Sequence, residues 1–247
     1  MNEDFSSLKL KKIDSIVDFA IKNKMTPGVQ LLIAKNGSVI YNKSYGHHTY
    51  NKKISVENDD IYDLASITKI LVSLPLIIRE IELKSLTFDS SLSSFFPKIN
   101  LFEKKNIKLK EMLSHYSRLT PWIPFYKETL DSVTNMQLDS YYSNKKTSDF
   151  NIEVREGLYM QLWDDIIFDK IIKSELLESK EYKYSDLPYY LIKKYLEDKY
   201  GKSLDKLIRD YIFSKNGMLS LNFNPYKIID LNKIVPSEID DYFRLGE

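Results

Sequence analysis

Residues 61–83 read IYDLASITKILVSLPLIIREIEL, and the organisation of the chain turns on them. Ile67, Ile70, Leu71, Leu74, Ile77, Ile78 and Ile81 recur at steps of three and four, the period of a helix, and this spacing predicts that they form its buried face. Ser66 opens the run and Lys69 follows one turn on, so hydroxyl and amine share a side of the helix. A lone ammonium in apolar surroundings is costly or gives up its proton. Either outcome suits a serine, which needs a neighbouring base to act as a nucleophile at neutral pH. Pro75 removes the N–H that would bond the Leu71 carbonyl and predicts a kink.

Ser-x-x-Lys alone says little. The spacing occurs four times, at Ser6/Lys9, Ser66/Lys69, Ser143/Lys146 and Ser203/Lys206, and three of these lie in strongly polar surroundings. Only Ser66/Lys69 opens an apolar run. From period and burial two readings stand side by side: a nucleophile with its base, or an N-cap serine beside a snorkelling lysine.

Working outward, 247 residues suffice for a sizeable core. The net charge of +1 gives no electrostatic footprint for nucleic acid or an anionic membrane. Cysteine is absent, which removes disulfides, thiolate metal sites and cysteine nucleophiles. His47, His48 and His115 do not make a metal cluster, because the first two are adjacent and no acidic residue stands beside them at ligand spacing. Neither a phosphate-binding glycine loop nor a dinucleotide fingerprint is present, and no cofactor or metal is expected. No run reaches the ~18 apolar residues of a membrane span. The opening MNEDFSSLKLKK lacks the apolar core of a signal peptide. A cytoplasmic location is the default expectation, with the cell envelope as the alternative for a piece of a longer exported protein.

Along the chain, Leu8 to Lys24 reads as an amphipathic helix ended by Pro27-Gly28. Val29 to Ala34 and Ser38 to Tyr45 flank Asn36-Gly37, the strongest short hairpin signal. Residues 46 to 60 read as a polar loop, and 85 to 99 as a turn-rich connector. Ile107 to His115 reads as a short helix, followed by the aromatic loop Pro121-Trp122-Ile123-Pro124. Residues 129 to 150 have no clear period, and Glu153 to Leu176 reads as helix. Leu187 to Tyr200 and Leu204 to Phe213 form a helical pair split by Gly201, a C-cap. From Asn216 the chain reads as irregular.

Four segments together resemble the serine β-lactamase-like superfamily of class C β-lactamases, DD-peptidases and related esterases. PGVQLLIAKNGSVIYNKSYG (27–46) resembles its opening hairpin, and IYDLASITK (61–69) its nucleophile motif. LKEMLSHYSRL (109–119) is similar to the family's Leu-Leu-x-His-x-Ser-Gly-Leu loop. KYSDLPYYLIKKYLEDKYGKSLDKLIRDYIFSKNGM (183–218) resembles the Tyr-x-Asn segment and its two following helices. The PWIPFY and YSD segments point to the branch in which such a domain follows a family 3 β-N-acetylglucosaminidase in a cell-wall-related fusion. The resemblance implies a single α+β domain over residues 1–247, mostly helical, with an N-terminal β-hairpin and an incomplete antiparallel sheet.

It implies that Ser66 is acylated, that Lys69 accepts or relays its proton, and that Tyr184 is the second acid or base. The three are expected to share a desolvated pocket. Asp186 stands where the family carries Asn and, with His115, is expected to support the site or the substrate. Tyr142-Ser143-Asn144 matches Tyr-x-Asn literally, but Lys145-Lys146 follows it rather than a helix, and a solvated loop tyrosine is the reading there. Arg118 replaces the family glycine, so that loop's backbone is expected to differ. The third motif, Lys/His-x-Gly on a strand, has no counterpart before the end at Asp241-Tyr242-Phe243-Arg244. The expectation is therefore a fold truncated at its C-terminus, with an exposed hairpin edge and one oxyanion donor fewer. Losing such a donor slows acylation roughly 10²–10³-fold. The implied function is a serine hydrolase acting on the amide or ester carbonyl of a β-lactam, a D-Ala-D-Ala peptide or a small ester. A catalytically silent remnant or binding module is the alternative.

Overall fold

The computed structural model describes residues 7–237. Ser6 and the stretch Asp241-Tyr242-Phe243-Arg244 lie outside them. The chain divides into two compact units: residues up to Ala65 together with those from Ser220, and Ser66–Leu219. Among the described residues no helix is long and apolar enough to cross a membrane.

In the first unit, helix α1 (Ser7–Lys22) precedes an antiparallel hairpin of β1 (Gly28–Lys35) and β2 (Ser38–Gly46). Asn36 and Gly37 both take positive φ, 51° and 75°, the geometry that matches the twist of a two-residue hairpin. A Cβ on Gly28 would meet the His47 carbonyl at 2.5 Å, so only glycine fits where β1 starts. The helix is tied to the hairpin through Asp14, whose Oδ1 accepts from Lys43 Nζ at 2.8 Å, Tyr45 OH at 2.6 Å and Tyr41 OH at 2.7 Å. These bonds hold the Asp14 carboxyl well below the usual carboxylate range. Leu32 and Val39 are exposed on the strands. The loop after β2 buries His48 against Asp60, 2.8 Å apart, an acidic partner that sequence spacing did not reveal. Ile61 pairs with Ile234 as a parallel bridge.

The second unit begins with the Ser66 helix. Its first part is a π-turn over Lys69–Ser73, in which the Leu74 N–H reaches back five residues to the Lys69 carbonyl. An α-helix, α2 (Leu74–Glu82), continues it. The π-turn lies directly before Pro75, so the chain absorbs the missing N–H by widening the preceding turn. The extra residue rotates the face. Val72, Ser73, Leu76, Ile77 and Glu80 are buried, whereas Ile67, Ile70 and Ile78 are exposed, which corrects the face read from a uniform 3.6-residue period. Glu80 is fully buried and accepts from Lys199 and Tyr200, while Arg79 Nη1 donates to Tyr200 OH at 2.7 Å.

Short helices α3 (Leu92–Phe95) and α4 (Leu109–Leu113) follow with intervening 3₁₀ turns. Strands β3 (Tyr142–Ser143), β4 (Ile152–Arg155) and β5 (Leu158–Met160) form an antiparallel sheet in the order β3-β5-β4. This corrects the reading of Glu153 to Leu176 as one helix. Gly157, at φ 71°, closes a two-residue turn in which Arg155 faces Leu158, and the β-branched Ile152 and Val154 favour the strand before it. Helix α5 starts only at Asp164 and runs to Lys173, with Asp164 and Asp165 in its first turn, where carboxylates suit the helix dipole. Helices α6 (Leu187–Tyr200) and α7 (Leu204–Ile208) are separated by Gly201 in the left-handed conformation, and a second π-turn over Arg209–Phe213 extends α7. The core gathers around Ile77, Met112, Ile171, Leu191, Ile192 and Leu207, each less than 2 % exposed.

Candidate active site

Tyr184 is placed by its neighbours in sequence. Lys183 N–H donates to the His115 carbonyl at 2.9 Å, Ser185 N–H to His115 Nδ1 at 3.2 Å and Asp186 N–H to the Pro121 carbonyl at 2.9 Å. The buried Ser185 hydroxyl donates to the Thr120 carbonyl at 2.6 Å and accepts from Leu187 N–H at 3.2 Å. Residues 183–186 are thereby strapped along the 115–121 loop, and α6 starts at Leu187. The loop bends at His115 and Arg118, with φ of 62° and 61°. Arg118 thus adopts the left-handed backbone a glycine takes freely, at a cost of roughly 1–2 kcal/mol. Two bonds hold it there: its carbonyl accepts from Leu177 N–H at 2.8 Å and its Nε donates to the Leu177 carbonyl at 2.5 Å.

On this scaffold Ser66 Oγ receives two donors, Tyr184 OH at 2.7 Å and Lys69 Nζ at 3.0 Å. The Lys69 ammonium also pairs with Asp186 Oδ1 at 2.6 Å. It lies over the rings of Tyr184 and Tyr189, 5.2 and 5.4 Å from their centroids. Burial works to lower the Lys69 pKa, but the bonds to Asp186 and Tyr184 outweigh it and leave the value raised. The lysine is therefore a paired ammonium, not the lone buried amine expected from the helix pattern. His115 stacks on Tyr184 with centroids 4.4 Å apart. Its pKa is lowered, first by burial and then by the Lys69 charge. Nδ1, accepting from Ser185, leaves the ring proton on Nε2.

All five expected residues, Ser66, Lys69, Tyr184, Asp186 and His115, come together. The pocket is less desolvated than expected: Ser66 is exposed and Tyr184 is 40 % exposed. The reason is local, since Ile67 just before the π-turn and Ile70 within it are themselves exposed. Tyr142 lies elsewhere, half-buried in β3 with its hydroxyl 2.9 Å from Thr129 Oγ1 rather than solvated in a loop. Tyr189 escaped sequence reading. Its hydroxyl donates to the Leu113 carbonyl at 3.3 Å, and the signal for it was its place in the first turn of the helix after Tyr184. No group of three metal-ligating side chains occurs among the described residues.

Residues 14–233 match the family model described as "Beta-lactamase". The chain belongs to the beta-lactamase family. As a family member it is similar to protein flp of Staphylococcus aureus, 30 % identical over 128 residues, which span 51 % of this chain and 25 % of flp. It is similar as well to a beta-lactamase of Providencia stuartii, 27 % identical over 137 residues, 55 % of this chain and 34 % of that one. Its fold is shared with the octameric penicillin-binding protein homologue of Pyrococcus abyssi, with a TM-score of 0.68 and 20 % identity over 96 % of this chain and 49 % of that one. The chain thus spans about half the length of such a solved relative and a quarter to a third of the curated ones. Its fold is β-lactamase-like, α+β.

Proposed function

We propose that the chain is a serine hydrolase that attacks an amide or ester carbonyl through Ser66 in cell-wall-related chemistry. The observation that carries the reading is the convergence of Tyr184 OH and Lys69 Nζ on Ser66 Oγ. With Asp186 holding Lys69 as an ammonium, the lysine stabilises charge developing on Ser66 Oγ and the phenol moves the proton. Ser66 Oγ bonds the carbonyl carbon as its proton passes to the Tyr184 oxygen. The phenol's own proton goes to the departing nitrogen or oxygen, and the C–N or C–O bond breaks. Water then attacks the acyl-Ser66 ester by the reverse relay and releases the acid. The motif series, the family match and the exposed Ser66 all support this assignment.

The test is turnover of a p-nitrophenyl ester and of nitrocefin. Hydrolysis by the native chain that Ser66→Ala abolishes supports the reading and excludes a silent binding module; equal rates in both chains overturn it.

A further inference from the structure

Among the described residues bonded at Ser66, Lys69 is the cation and Asp186, paired with it, the anion, and they are not equally placed. The Lys69 side chain is 15 % exposed and lies over two tyrosine rings, whereas the Asp186 side chain is 43 % exposed. Lys69 Nζ is 3.0 Å from Ser66 Oγ and 2.6 Å from Asp186 Oδ1, so the carboxylate reaches the nucleophile through a single intervening atom. His115 adds no charge, because its Nδ1 accepts the Ser185 N–H. The pair sums to zero, with its negative member toward solvent.

We propose that Asp186 determines specificity, favouring acyl donors that are uncharged beside the scissile carbonyl, such as neutral esters, over donors that carry a carboxylate there. The proposal rests on Ser66 being the nucleophile. A penicillin is the opposing case, since its carboxyl carbon lies two bonds from the lactam nitrogen. Once that carbonyl stands over Ser66, the substrate carboxylate enters the neighbourhood of Asp186 and like charges meet. The Lys69 ammonium, which would attract an anion, is already engaged. Replacing Asp186 by Asn keeps the shape and removes the negative charge.

Two probes read the same oxygen. Benzylpenicillin acylates Ser66 as its lactam C–N bond opens and the nitrogen takes the serine proton. A neutral alkyl fluorophosphonate forms an O–P bond as the P–F bond breaks, fluoride leaving with the proton. The second-order labelling rates of both are measured on the native chain and on Asp186→Asn, at low salt and at about 0.5 M salt, where charges are screened within a few ångströms. The penicillin-to-phosphonate ratio is expected to rise about tenfold or more in Asp186→Asn, and to rise with salt in the native chain. A ratio unchanged by both manipulations overturns the proposal. Should Asp186→Asn lose its native circular dichroism, the salt series on the native chain decides: a flat ratio overturns the proposal. Absence of labelling by both probes overturns the nucleophile assignment itself, a result distinct from labelling by both at a constant ratio.

Discussion

The Tyr184 hydroxyl stands 2.7 Å from Ser66 Oγ although 118 residues separate the two in sequence. Residues 183–186 are fixed onto the 115–121 loop by two backbone bonds and by bonds through the His115 and Ser185 side chains, so the phenol is held by this strap as well as by its own packing. Removing the hydroxyl leaves this strap intact. Tyr184→Phe is expected to keep its circular dichroism and lose 10²–10⁴-fold in the fluorophosphonate labelling rate, the range of a general acid–base group. A loss below about threefold would move the proton transfer elsewhere.

His115 links the site to pH. Its value is lowered, so above the ordinary histidine value of 6.5 it is neutral in folded and unfolded chain alike. Below 6.5 the unfolded chain takes the proton first, and the folded site resists until pH falls through its own lower value. Protonation of Nδ1 then ejects the Ser185 N–H and sets a cation beside Lys69. Labelling is expected to fall on the acid side of 6.5, and His115→Gln is expected to lose that acid limb. A rate profile identical in the two chains contradicts the assignment.

Glu80 is a buried carboxyl group whose partners among the described residues come from its own helix and the end of α6. Glu80→Ala strands Lys199 and Arg79 beside a cavity and is expected to destabilise the second unit by about 3–5 kcal/mol. Urea unfolding followed by tryptophan fluorescence measures it, and a change below 1 kcal/mol would show that water replaces the carboxylate freely.

Asp14 makes the first unit acid-sensitive. Its folded pKa is depressed, so the stabilisation is complete above the ordinary carboxylate value of 3.8 and drains away as pH falls through the lower folded value. Asp14→Asn removes the charge at every pH. The variant is expected to show a smaller loss of hairpin amide protection on acidification, read by hydrogen exchange over β1 and β2. An equal loss in both chains places the acid sensitivity in another group.

Much of this was legible in the sequence where local chemistry decides. Asn36-Gly37 dictates a turn that few other pairs allow, and Gly201 ends α6 because it enters the left-handed region. Ser66, Lys69 and Tyr184 were marked out by the family resemblance rather than by spacing, and the structure brings their side chains together. The buried face of the Ser66 helix was not legible, since one inserted residue in a π-turn rotates all that follows. Nor was the β4–β5 turn, where Gly157 outweighs the helix-forming residues on either side. The Lys69–Asp186 pair depends on α6 docking against the Ser66 helix, a tertiary fact that no local pattern carries. Arg118 shows the converse: a residue that sequence alone marks as unsuited to φ > 0 is held there by two bonds from Leu177.

The measurement that bears most directly on the account is the site of covalent attachment of a fluorophosphonate, found by intact mass and peptide mapping of the native chain and of Ser66→Ala. The account predicts one adduct, on the peptide containing Ser66, absent in the variant. An adduct that persists in Ser66→Ala, or a folded native chain that takes none, contradicts it.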